Sequence, residues 1–145
     1  MSLSDEPGPV SDEEYLYRKI PVSTGWYDPD VSKKPSPRAF HPRKNDPTDL
    51  SVDRATYTTI ERAARGQSKQ GYYVAILRVS DLRAKGMDVV PKPLPENPGH
   101  AEILGLNSQT RGSDQAKEWE VLLAHELTLE VKGPFLPEDL EEHEG

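Results

Sequence analysis

The sequence predicts an α+β domain: a twisted, mainly antiparallel sheet of about five strands with two or three helices. Three observations predict it. Short runs rich in β-branched and aromatic residues recur along the chain, and the clearest, Tyr72 to Val79, is almost continuously apolar. Helical signals are interspersed among these runs, which points to a substantially antiparallel sheet. Fourteen prolines and ten glycines require long connecting loops.

The elements follow in order. Tyr15 to Ile20 reads as a strand ended by Pro21, with Leu16, Arg18 and Ile20 on one face and Tyr15, Tyr17 and Lys19 on the other. An arginine on a core face needs a partner, which singles out Arg18. Residues 21–49 carry six prolines and read as a long ordered loop packed through Trp26, Tyr27 and Phe40. Leu50 to Asp53 is a short strand. Thr58 with Glu61 offers a capping box for a helix reaching about Arg65 and stopped by Gly66. Tyr72 to Val79 is a central strand covered on both faces. Ser80 caps one helical turn, Asp81 to Lys85, ended by Gly86. Asp88 to Val90 and His100 to Leu104 are strands joined by an extended, stiff proline linker. The best helix starts at Ser113 or Asp114 and runs to about His125, with Trp119, Leu122, Leu123 and Leu127 as its apolar stripe. Leu127 to Val131 alternates as the last strand, ended by Gly133-Pro134.

Leu, Ile, Val and Phe number 30 of 145 residues, which barely fills one domain and lies close to the level where high charge implies disorder. No apolar run approaches the roughly 18 residues of a membrane span, and no signal-peptide core is expected at the N-terminus. These missing signals place the chain in the cytoplasm by expectation. With no cysteine, disulfides, thiol nucleophiles and cysteine-held metals are excluded.

Charge is unevenly spread. Residues 1–14 hold five acids and no base, and residues 137–145 hold five more acids, again without a base. Both ends are expected to be flexible acidic tails around a single domain, residues 15–136. That body carries 18 bases and 15 acids. Residues 33–69 are its most basic part, with nine bases and four acids interleaved with Phe40 and Tyr57. Bases for phosphates and rings for stacking are what nucleic-acid binding requires, and this is one of three functional readings.

Other chemistry is sparse. His125-Glu126 lacks the second histidine of a helical zinc motif, since that position is Leu129. His100 and Glu102 share a strand face as a ligand-like pair, but nothing further at metal-ligand spacing joins them, so no metal is expected. Phosphate-binding glycine loops and the Gly-x-Ser-x-Gly elbow are absent.

The succession Leu16-Tyr17-Arg18, Leu50-Ser51-Val52, a capped helix, Tyr72 to Val79 with its Ser80-Asp81-Leu82 turn, and Pro98-Gly99-His100-Ala101 resembles a group of small bacterial proteins without an assigned activity. In order of elements it also resembles ADP-ribosyltransferase-like domains. That resemblance implies NAD as substrate. It implies that Arg18 holds a phosphate or ribose, that Ser51 braces the nicotinamide ribose, and that Glu130 or Glu102 stabilises an oxocarbenium ion or orients the acceptor. Arg54 and His100 complete the candidate ligand-binding set. The competing expectation is a non-enzymatic interaction module, a conflict-system or immunity-type component, that docks a protein through the proline-rich stretches 35–47 and 91–98.

Overall fold

The computed structural model describes residues 8–42, 48–66 and 69–137. Six strands form one antiparallel sheet: β1 (Tyr15–Pro21), β2 (Leu50–Arg54), β3 (Tyr72–Arg78), β4 (Val89–Pro91), β5 (His100–Ile103) and β6 (Glu130–Phe135). Their spatial order is β4-β5-β2-β1-β3-β6. Three helices accompany them, α1 (Ile60–Ala63), α2 (Val79–Ala84) and α3 (Asp114–Val121), and α3 runs into a π-helical turn, Leu122–Leu127. The expected α+β class therefore holds, with six strands. Among the described residues no helix is long and apolar enough to cross a membrane.

Register sorts the side chains onto two unlike faces. Leu16 lies opposite Leu77 and Arg18 opposite Ala75, while Leu50 lies opposite Ile103 and Val52 opposite Ala101. These residues form the core face, which packs against Phe40, Leu106, Ala116, Leu123, Ala124 and Leu127. The opposite face is largely polar. Its apolar part is a small cluster of Tyr72, Val74 and Ala64 with Tyr17, Ile60 and Phe135 around it.

Several elements depart from expectation for local reasons. Thr59, not Thr58, caps α1: its hydroxyl oxygen accepts from the Arg62 amide, while Thr58 closes the 3-10 turn Ala55–Tyr57. Glu61 therefore sits one position too early for a capping box. Helix α2 follows β3 directly from Val79, so Ser80 lies inside it. The Val79 and Ser80 amides donate to the carbonyls of Glu14 and Asp12, which replace a side-chain cap. The proline linker between β4 and β5 folds back on itself through paired Leu94–Asn97 backbone bonds at 3.0 Å.

The last strand starts late. Leu127 ends the π turn, and the Thr128 hydroxyl donates to the Leu123 carbonyl at 2.7 Å, which uses these residues to close the helix. Leu129 consequently faces solvent, 51% exposed, and Gly133-Pro134 lies within β6.

The described part of the acidic N-terminal stretch packs on the domain. Val10 is buried in the main core. Glu14 accepts two 2.7 Å hydrogen bonds from Arg54, whose remaining donors reach the carbonyls of Gly8 and Pro9. Asp12 accepts from Arg83 at 2.6 Å. The C-terminal acidic stretch from residue 138 lies outside the described residues.

Candidate functional site

The site begins where the sheet opens. β1 and β2 pair only at Leu16↔Arg54 and Tyr17↔Asp53. Past that point the Ser51 carbonyl has no β1 amide opposite it, and the Arg18 guanidinium takes that place. Arg18 Nη1 donates to the Ser51 carbonyl at 2.9 Å, and Nε donates to the Ala39 carbonyl at 3.1 Å. A planar fork can satisfy two divergent carbonyls at once, which explains an arginine on a core face. Among the described residues it bonds these two carbonyls, and no carboxylate there pairs with it. Asp53 instead accepts from the Asn97 amide at 2.7 Å.

Two clefts adjoin this opening and share Thr48, Asp49 and Ser51. The smaller, about 210 Å³, has walls of Arg18, Lys19, His41 and Leu106. The larger, about 740 Å³, lies over the polar face and reaches Lys92, Leu94, His100 and Glu102. Ser51 and Glu102 are direct cross-strand partners, so their side chains share that face. Glu102 is buried, and one of its oxygens accepts from the Asp49 amide at 3.3 Å. Asp49 is fixed in turn by the Gly105 amide and the Asn107 side chain, at 3.0 and 2.8 Å. His100 Nδ1 lies 2.9 Å from the Lys92 carbonyl. A carbonyl only accepts, so Nδ1 carries the proton there and Nε2 is left as an acceptor.

Behind His41 stands a carboxylate that sequence reading missed. Glu120 Oε1 lies 2.9 Å from His41 Nδ1. Glu120 is 5% exposed, and its buried Oε2 has no hydrogen-bond partner among the described residues. The signal for it was its place on α3. Ala116, Glu120, Leu123, Ala124 and Leu127 form the buried stripe, so an acid occupies an apolar face.

Other candidates lie elsewhere. Arg54 is 2% exposed and committed to Glu14, with its guanidinium 4.7 Å from the centre of the Tyr57 ring. The Glu14 hydrogen bond raises its pKa and outweighs the burial that lowers it. Glu130 sits on edge strand β6, 3.7 Å from Lys132. Three strand spacings, roughly 14 Å, separate β6 from β2, so Glu130 does not join Ser51. Among the described residues no three His, Asp or Glu side chains are grouped to hold a metal ion.

In the basic segment 33–69, Phe40 is fully buried and Lys34 donates to the Thr128 carbonyl at 2.7 Å, so this ring and this base are engaged within the fold. Residues 43–47 and 67–68 of it lie outside the described residues. The surface around Trp26 is a groove of about 440 Å³ flanked by Val31, Pro35 and His125, to which buried Phe40 contributes nothing. Compared with family models, curated proteins and solved structures, the chain has no match.

Proposed function

We propose that this chain is a ligand-binding domain for an anionic, nucleotide-class molecule that lies across the two adjoining clefts. The observation that carries the reading is their shared floor of Thr48, Asp49 and Ser51, with unlike chemistry on either side. Arg18 brings positive charge to the small cleft, which suits a phosphate, while the Lys19 ammonium is held at the Arg65 carbonyl at 2.6 Å. Glu102 and Ser51 in the larger cleft suit sugar hydroxyls, since a carboxylate accepts from a ribose as acids do in dinucleotide sites. Lys92 flanks that cleft and suits a second anionic group, and the His100 ring beside it can accept from a hydroxyl. The combined space matches ordinary small-molecule sites of about 300–1,000 Å³. NAD, implied by the resemblance to ADP-ribosyltransferase-like domains, is the first ligand to test. In that reading Glu102, and not Glu130, is the carboxylate beside the sugar.

The test is thermal unfolding with millimolar NAD for the wild type and Lys92→Glu. Lys92 is exposed, so the substitution leaves the core intact. Binding to the native state alone adds about 2.7 kcal/mol at 100 times Kd. A clear upward shift in the wild type, much reduced in Lys92→Glu, is expected. No shift in the wild type would reject NAD as ligand. Arg18→Ala is unsuitable here because its guanidinium also holds the fold.

A further inference from the structure

We propose that His41 and Glu120 make the small cleft hydrolytic, with His41 as the general base toward a phosphoanhydride. This rests on the nucleotide reading above and adds a reaction to it. Glu120 accepts from Nδ1, which fixes the ring and its tautomer. His41 lines the cleft, and its Nε2 makes no hydrogen bond among the described residues. In the neutral ring so fixed, Nε2 is the nitrogen left to take a proton at that cleft. The same arrangement, a carboxylate holding one imidazole nitrogen while the other takes a proton, serves general-base catalysis elsewhere.

Two independent features argue that the pair is more than packing. A buried carboxylate with one oxygen unsatisfied is costly, and an apolar pair of the same size would avoid that cost. Such exceptions call for an explanation, and a catalytic role is one. The π-helical turn starts two residues after Glu120, and such turns occur frequently at functional sites.

The step balances without a further reactant. A water in the small cleft gives a proton to His41 Nε2 as its oxygen bonds to one phosphorus of the anhydride. The bridging P–O bond breaks, and its electron pair leaves with the second phosphate. The imidazolium then returns the proton to that phosphate. Arg18 offsets the charge of the phosphates from the β1 side. With NAD the products are AMP and nicotinamide mononucleotide. His41 is the catalytic residue, and Glu120 is a positioning residue that acts through it.

The experiment incubates the full chain with NAD, separates the products, and measures thermal shifts alongside. AMP release by the wild type is expected, with at least a hundredfold loss in His41→Gln while the NAD thermal shift persists. Added imidazole should restore part of the rate to His41→Gly, which a purely structural histidine would not permit. Glu120→Gln should lower kcat and leave KM unchanged. A thermal shift without AMP release, release of nicotinamide and ADP-ribose instead, or a wild-type rate in His41→Gln would overturn the proposal and leave the binding reading standing. Absence of any thermal shift would reject the nucleotide reading, and this proposal with it.

Discussion

Arg18 shows how one side chain decides both a fold and a cleft. Its two carbonyl partners come from the loop at Ala39 and from β2 at Ser51. Alanine would leave both without their donor. Hydrogen bonds to charged groups contribute about 1.5–3 kcal/mol each, so Arg18→Ala should cost about 3 kcal/mol in urea unfolding. Arg18→Lys keeps the charge but loses the fork, and should recover only part of that. An unchanged midpoint in Arg18→Ala would show that these bonds contribute nothing. The alternation of β1 already exposed Arg18 as an oddity, because a charged residue shared a face with Leu16 and Ile20. Its partners were not legible, since backbone carbonyls leave no mark in sequence. Glu120 was legible in principle, as an acid on a helix stripe, but Trp119 drew the stripe one residue away.

At the scale of elements, residues 8–14 act as a strap. They cap α2, bury Val10 and close over Arg54. Burial pushes the Glu14 carboxyl upward, but the Arg54 hydrogen bonds, the Ser11 amide and the Arg54 charge together hold it below its usual value. The consequence for stability has a definite sign. The contribution is fully present above the unfolded pKa, about 4.3 for Glu, and is lost as pH falls through the lower folded value. Wild-type stability should therefore drop on acidification below about pH 4.3 by more than that of Glu14→Gln, as measured by urea unfolding across that range. Parallel pH profiles for the two proteins would refute the role. The sequence made this stretch look like a solvated acidic tail because its apolar content is one valine among many acids. Its order comes from long-range partners, Arg54 and Arg83, that lie 40 and 71 residues away. Helix starts shifted for a related reason: tertiary carbonyls at α2 replaced the local serine cap.

The whole molecule is a sheet with one apolar and one polar face, and its class was legible because strand alternation and β-rich runs report it directly. The site was only partly legible. Ser51 and Glu102 meet because β2 and β5 pair, and a pairing between strands some fifty residues apart is not written in either strand. Glu130 shares their face, yet sheet order puts it near the opposite edge. In the proposed complex one ligand spans the clefts on either side of Thr48, Asp49 and Ser51. The most direct measurement is the map of backbone amide chemical-shift changes on titrating the full chain with NAD. Saturable changes concentrated at Thr48, Asp49, Ser51, Lys92, His100 and Glu102 are expected. Changes confined to the Trp26–His125 groove, or none at millimolar NAD, would contradict that complex.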